Sequence, residues 1–590
     1  MHKVTINGKE VVAGEGTTIL EAAKQAAIHI PTLCFLEKLA PTGACRVCLV
    51  EIEGARTLMA ACSTPVADGM QVMTHSPKVR DARRKVVELI LSEHQGNCQI
   101  CDRNEDCELQ QLAAELGLKA IRYQGEKATS HIDDSTPALL RDTGKCIKCR
   151  RCVTVCSQVQ GVGALYPQGR GFDTVIGPAF TQELNDVACV QCGQCAAVCP
   201  VGAISERNHV EDVWKVLEDP QQTVVVQTAP AIRAALGECF GCKPGTLVTG
   251  KMTSALRQLG FDRVFDTNFT ADLTIIEEGT ELLMRLKKAL LDKEKVPLPM
   301  FTSCCPAWIN FAEYYYSDML PNLSSCKSPQ QMFGAVAKTY YARKLGIRPE
   351  QMTVVSIMPC TAKKFECQRQ EMTDSSVQDV DYVLTTRELA QMIKEAGIDF
   401  MALQESEMDA PLGLSSGAAD IFANTGGVME AALRTAYEIV TGRELPMENL
   451  HVTPVTGLEG IKEASIVIEQ PVADWSFLDG VEVRVAVSHG LANARNLIER
   501  ITSGEKSYHF IEVMACPGGC IGGGGQPRLT NDAVRMKRIN AIYAEDEGKL
   551  LRKSHENKAV QQLYAEFLGK PLGEKSHHLL HTKYKGKPPV

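Results

Sequence analysis

Two runs in the first third of the chain, KCIKCRRCVTVCSQ and ACVQCGQCAAVCPVGA, share one spacing, C-x2-C-x2-C-x3-C. Nothing else restricts the fold as tightly, because stretches so rich in thiols must be organised around what the sulfurs bind. The chain has 590 residues and 24 cysteines, most of them clustered with two-residue gaps. In a short secreted protein such clusters imply disulfides. This chain is long, and its opening MHKVTINGKEVV alternates like a strand, with neither an apolar signal core nor twin arginines. It therefore reads as cytoplasmic, where clustered thiolates are metal ligands. Soft sulfur donors favour zinc or iron–sulfur clusters. A formal charge of -8 argues against nucleic acid as a partner, and no apolar run reaches the ~18 residues of a membrane span. The length allows several domains and at least one large core.

The duplicated run is the signature of a bacterial two-cluster ferredoxin, in which the fourth cysteine of each run ligates the other cluster. One cluster is accordingly assigned to Cys146, Cys149, Cys152 and Cys199, the other to Cys189, Cys192, Cys195 and Cys156. Upstream, VTINGKEVVAGEGTTILEAAKQAA reads as a hairpin with an Asn-Gly turn and an amphipathic helix, leading to Cys34, Cys45, Cys48 and Cys62. This resembles the plant-type 2Fe–2S ferredoxin fold, although ten residues rather than four separate the first two cysteines. That longer gap is similar to the N-terminal module of the respiratory NADH dehydrogenase large subunit and of iron-only hydrogenases; a zinc knuckle is the competing reading. His94, Cys98, Cys101 and Cys107 follow the helical segment KVRDARRKVVELILSEH. Alone they could bind structural zinc. In this order they resemble the His-ligated 4Fe–4S cluster of the same two families. The polar stretch from about 110 to 143 reads as a linker.

From about 213 the pattern changes to buried strands leading through loops into helices, as in TVVVQTAPAIRAALGE, QMTVVSIMPCTAKKFE and VEVRVAVSHGLANARNLIER. That alternation predicts an α/β region with parallel sheets and functional loops at the carboxyl ends of its strands. Three loops there, FTSCCPAWINFAE, SIMPCTAKKFE and EVMACPGGCIGGGGQP, closely resemble the signature loops of the iron-only (FeFe) hydrogenases. The resemblance covers nearly the whole chain. It implies an H-cluster: a 4Fe–4S cubane joined to a two-iron unit that carries carbon monoxide, cyanide and a bridging dithiolate amine. By position, Cys305, Cys360, Cys516 and Cys520 hold the cubane, and Cys520 bridges to the two-iron unit. A phosphate-loop reading of GGGGQP fails, because no GKS or GKT follows. Lys363 matches a lysine against cyanide, and Pro230 and Ala231 match backbone positions near the other cyanide. Gln330, Met358, Phe422 and Met514 match positions lining the pocket, where the methionines and the phenylalanine also suit plain core packing. Cys304 matches the first proton relay, followed by Glu278, Glu281 and Ser324 on the route to solvent. Glu278 and Glu281 are three apart on a probable helix and so share a face.

The resemblance implies a multidomain α+β and α/β chain: a β-grasp 2Fe–2S domain (1–78), a His-ligated 4Fe–4S domain (79–125), a two-cluster ferredoxin domain (126–210), an H-cluster domain (211–530) and a helical C-terminal segment like a small subunit (531–590). It also implies one 2Fe–2S and three accessory 4Fe–4S clusters. The expected function is reversible hydrogen oxidation, with electrons exchanged with ferredoxin or with a flavin- and NAD(P)-binding partner subunit, as in electron-bifurcating hydrogenases. No G-x-G-x-x-G fingerprint occurs to bind a dinucleotide within this chain. The rivals are an electron-transfer subunit of an NADH dehydrogenase, which leaves the three loops unexplained, and a stand-alone hydrogenase serving ferredoxin alone. A hydrogen sensor would carry a signalling domain, and none is visible in the sequence. Four cysteines stay without a role. Cys239 and Cys242 read as an incidental pair before a redox pair or a partner-facing site. Cys326, beside Ser324, either tunes the proton route or is a small buried residue, and Cys367 has no reading.

Overall fold

The computed structural model describes residues 1–588 except 128, 446–459 and 529. His2–Ile6 and Lys9–Ala13 form the expected hairpin, and Asn7 (φ 52) with Gly8 (φ 80) supplies the two left-handed residues of a type I′ turn. His2–Ile6 also pairs in parallel with Gln71–Met73, which extends the sheet to five strands. The helix Ile19–Gln25 starts at a Thr18–Glu21 capping box and buries Ile19, Ala22 and Ala23 against the sheet. Cys48 and Cys62 lie in the same core.

Helix Pro77–Glu93 is capped by Ser76, whose side chain accepts the Val79 N–H, and it ends at His94. Its buried Arg83 donates to the carbonyls of Val47, Leu49 and Thr74, locking the helix onto the ferredoxin-like sheet.

The stretch expected to be a linker carries regular elements at both ends, around a middle with neither helix nor strand among its described residues. Glu108–Glu115 is a helix that buries Leu109 and Leu112. Ile132–Asp133 and Leu139–Asp142 form an antiparallel pair, and the second strand also pairs with Ile204–Glu206 of the next module. Between the helix and these strands residues 119–127 are exposed, while polar residues of the second half, Asp133 and Arg141 among them, turn inward. The buried Asp133 carboxylate accepts from Ser135, from the Leu184 N–H and from Arg141.

The region beyond is built on two four-stranded sheets. In the first, Arg263–Asp266, Thr223–Thr228, Met352–Met358 and Tyr382–Thr385 are all parallel in that order. In the second, Met300–Phe301, Phe510–Met514 and Glu482–His489 are parallel, and Ile461–Val467 adds an antiparallel edge. Met352–Met358 is buried at every residue, as a parallel strand covered on both faces must be. Four of these strands point their carboxyl ends at one place and deliver the loops at Ala229–Ala231, Cys304–Cys305, Cys360 and Cys516–Cys520.

The C-terminal segment is helical, as expected: Asp532–Gly548, then shorter helices to Glu574–Leu580. Val560, Leu563, Leu579 and Leu580 are buried in the same core as the first sheet. The chain then runs beside the relay loop. Lys327 N–H donates to Leu580 O, Thr582 N–H donates to Ser325 O, and Cys326 bridges to His581. Among the described residues, no helix is long and apolar enough to cross a membrane.

Candidate functional site

A cavity between the two sheets is lined by Cys305, Cys360, Cys516 and Cys520, four thiols drawn from three strand ends. Cys360 and Cys516 are buried and Cys305 and Cys520 half-buried, and burial, followed by the neighbouring cysteines, raises the pKa of Cys360 (to about 12), Cys516 and Cys520. Four sulfurs that repel one another's ionised forms are the donor set that binding to a cationic metal would relieve. Glycines 519 and 523 also line the cavity, and a Cβ at Gly523 would collide with the Pro359 carbonyl. The donor set and the space therefore fit the cluster that the loops imply.

Cys304, Lys363, Pro230, Gln330, Met358, Phe422 and Met514 line the same cavity. Ala231 does not; it is buried beside it, its carbonyl accepting from Gln526. Lys363 lies at the start of the helix Ala362–Cys367. Its Nζ donates to Glu366 Oε2 at 2.8 Å and to the Cys304 carbonyl at 3.1 Å. Burial pulls its pKa down, but Glu366 and the thiols outweigh that, so the ammonium stays charged. Sequence reasoning missed Glu366, which also accepts from Ser328 and Gln330. Gln330 Oε1 is left buried without a partner, facing the need for a ligand that the protein does not supply.

Glu278 and Glu281 project from the long helix Thr267–Leu290. Glu278 is fully buried, and burial followed by repulsion from Glu281 pushes its pKa up to about 8. Both its oxygens lack a hydrogen bond of good geometry, although Ser324 and the Ser303 N–H lie near enough to favour its charged form slightly. Cys304 is raised by burial first and by Glu278 next, so thiol and carboxyl are electrostatic neighbours. Ser324 Oγ donates to Glu281 Oε2 at 3.0 Å, and Glu281 pairs with Arg285 at 2.6 Å near the surface. The four residues read as a relay are thus brought together.

Three of the four other cysteine groups also converge, while in the fourth Cys107 faces the Pro200 carbonyl. Cys34 is near enough to hydrogen-bond Cys45 and Cys62, and Cys62 reaches Cys48. Cys146, Cys149, Cys152 and Cys199 line one cavity; Cys156, Cys189, Cys192 and Cys195 line another. His94 has a buried, unpartnered Nδ1 and a pKa lowered mainly by burial, and Cys98 lies close by across Gly96. A Cβ at Gly202 would sit 2.7 Å from Cys101 Sγ. The second ferredoxin cavity abuts the central one. Thr361 donates to Gln191 O, Gln160 donates to Ala515 O and Gln194 donates to Gly522 O, each pairing a neighbour of one cysteine loop with a neighbour of the other. Cys239 and Cys242 are free thiols, and Cys367 donates to Lys364 O at 3.2 Å in the core.

The fold and these cavities define an iron–sulfur oxidoreductase with a buried, cysteine-ringed centre, and the chain belongs to the iron-only hydrogenase family. Residues 222–524 match the iron only hydrogenase large subunit, C-terminal domain, and 532–587 match the iron hydrogenase small subunit. Residues 1–77 match a 2Fe-2S iron-sulfur cluster binding domain, 83–122 the NADH-ubiquinone oxidoreductase-G iron-sulfur binding region, and 145–203 a 4Fe-4S dicluster domain. The chain is 52% identical to NADP-reducing hydrogenase subunit HndD of Solidesulfovibrio fructosivorans, over 99% of each. It is 42% identical to iron hydrogenase 1 of Clostridium pasteurianum, over 99% of this chain and 100% of that one. A solved variant of apo FeFe-hydrogenase HydA1 from Chlamydomonas reinhardtii aligns with a TM-score of 0.58 at 46% identity, covering 64% of this chain and 99% of that one.

Proposed function

We propose that this chain catalyses H2 ⇌ 2H+ + 2e- in the cavity bounded by Cys305, Cys360, Cys516 and Cys520. The observation that carries this is the meeting of those four thiols with Cys304 and Lys363 at the carboxyl ends of strands from two sheets. The H-cluster, when bound, supplies a Lewis-acidic iron pair that polarises H2 and a bridging amine that exchanges its proton. The four thiolates would hold the cluster, with Cys520 the ligand expected to serve both of its parts. The Lys363 ammonium holds an anionic ligand by a charge-assisted hydrogen bond. Pro230, Met358, Phe422 and Met514 keep water out and Gln330 stands at the rim, while the Ala231 carbonyl holds Gln526 behind it.

As the Cys304 sulfur takes up a proton, its own S–H breaks and that proton passes to the Glu278 carboxylate. The Glu278 O–H then breaks as Ser324 Oγ gains its proton and the existing Ser324 O–H proton moves to Glu281 Oε2, beside Arg285 and solvent. A pKa of about 8 suits Glu278 to both steps near neutral pH.

Cys34, Cys45, Cys48 and Cys62 would hold one 2Fe–2S cluster, and three 4Fe–4S clusters would be held by His94, Cys98, Cys101 and Cys107 and by the two ferredoxin sets closed by Cys199 and Cys156; together they would supply the electron transfer. The cavity of Cys189, Cys192 and Cys195 is the entry to the active site, given its direct hydrogen bonds to that site's loops. The electron partners are ferredoxin or a cytoplasmic flavoprotein subunit that reduces NAD(P)+; the similarity to an NADP-reducing hydrogenase subunit supports the second. The test is an infrared spectrum of the purified, matured chain. Bands of metal-bound carbon monoxide and cyanide are expected, and their absence after proper maturation overturns the reading. Reduction of NAD(P)+ by H2 with this chain alone overturns the separate flavoprotein.

A further inference from the structure

Beyond Glu281 the proton route meets a second set of groups from the far end of the chain. Ser325 Oγ lies 3.2 Å from Glu281 Oε2 and 2.8 Å from His581 Nδ1. The other ring nitrogen of His581, Nε2, lies 3.1 Å from Glu277 Oε2, and both side chains are fully buried. Glu277 also accepts from Tyr564, Ser576 and the Leu572 N–H. All three donors come from the C-terminal segment.

Burial works against the charge of Glu277, but its hydrogen bonds from His581, Ser576, Tyr564 and Leu572 outweigh that and hold it below the usual carboxylate range. It can therefore only accept, and it fixes the proton of His581 on Nε2. That leaves Nδ1 as an acceptor facing the Ser325 hydroxyl. Ser325 O–H can then point at His581 while its lone pair faces Glu281. This polarity lets a proton leave Glu281 toward the histidine.

We propose that His581 is the proton acceptor at the end of a branch, Glu281–Ser325–His581, which the C-terminal segment adds to the relay. The Glu281 carboxyl O–H breaks as Ser325 Oγ gains that proton; the Ser325 O–H breaks as His581 Nδ1–H forms. Glu281 is left as carboxylate, and the imidazolium is held by Glu277. In the direction of proton reduction the same steps run backward and recharge Glu281. The branch stores one proton off the exit beside Arg285, so Glu281 is reset before bulk solvent takes part. His577 stacks on His581 with ring centroids 4.8 Å apart and is the exposed end of the pair.

This inference rests on the relay reading above, and its test separates the two. Ser325→Ala removes the bridging hydroxyl, His581→Gln keeps the volume and hydrogen bonding without a titrating ring, and Ser325→Thr keeps the hydroxyl. Each is made in the full, matured chain, with infrared bands of the active site as the check on assembly. Turnover is expected to fall about 3- to 10-fold in Ser325→Ala and His581→Gln, and to recover most of that in Ser325→Thr. In potential-induced infrared difference spectra, wild type should show an imidazole ring change that His581→Gln abolishes and Ser325→Ala suppresses. Assembled Ser325→Ala and His581→Gln enzymes with wild-type turnover and unchanged difference spectra overturn the branch. Glu278→Gln, measured alongside, tells which reading has failed: if it too keeps full turnover, the main relay is wrong; if it does not, only the branch is.

Discussion

Lys363 Nζ is tied at 3.1 Å to the backbone carbonyl of Cys304, so the charged residue of one cysteine loop holds the doubled cysteine of another. Beyond that tether the two adjacent thiols meet different partners. Cys305 Sγ receives the Ala515 N–H from the third loop, while Cys304 is an electrostatic neighbour of Glu278.

The two thiols should therefore fail differently. Cys305→Ser should impair cluster assembly, because a hydroxyl is a poor substitute for a soft thiolate. Cys304→Ser should assemble, keep its carbon monoxide and cyanide bands, and lose most of its turnover, since an aliphatic hydroxyl does not titrate in the usable range. Cys304→Asp should recover part of it. A Cys304→Ser enzyme with intact bands and full turnover would reduce the second thiol to packing.

Glu366 answers the buried charge of Lys363. Removing one partner of a buried pair leaves the other uncompensated and costs about 3–5 kcal/mol. Glu366→Ala should thus destabilise the chain by that order in chemical denaturation of the purified protein. A loss below about 1 kcal/mol would mean that Lys363 is neutral or finds water.

Glu278 should make stability depend on pH in the unusual direction for a carboxyl. Burial, then Glu281, raises its pKa from 4.5 to about 8, so the folded chain keeps a proton that the unfolded chain releases. Between those values the folded state binds more protons, and stability from this group falls as pH rises, by up to about 1.4 kcal/mol per unit. Glu278→Gln removes the effect. Its melting temperature relative to wild type should rise between pH 5 and pH 8; an equal difference at both values refutes the raised pKa.

His94→Cys should retain a 4Fe–4S cluster but lower its potential, because a thiolate adds negative charge where imidazole is neutral. Redox titration followed by electron paramagnetic resonance is the measurement. An unchanged potential, with unchanged electron transfer to partners, argues against ligation by His94.

Much of this was legible in the sequence because the constraints are local. The turn needs Asn7 and Gly8 at positive φ, and the cysteine spacings survive any packing around them. The α/β alternation also put the loops at strand ends. What was not legible depends on partners far along the chain. Leu109, Leu112 and Leu116 recur at helical spacing in ELQQLAAELGL, a local signal that the linker reading passed over, but the module that covers this face lies further along the chain. Glu366 could have been found, since a buried lysine needs a counter-charge and a carboxyl three residues on can reach it. His581 gave no such sign, because its partner Ser325 is 256 residues away.

The two ferredoxin cavities are each closed by a cysteine carried on the other run, Cys199 for one and Cys156 for the other. The two runs are therefore one unit, since deleting either would strip a ligand from the survivor. The insert between them, with its hairpin of Tyr166–Gln168 and Val175–Gly177, supplies none of those cysteines and could be shortened without opening either cavity's ring of sulfurs.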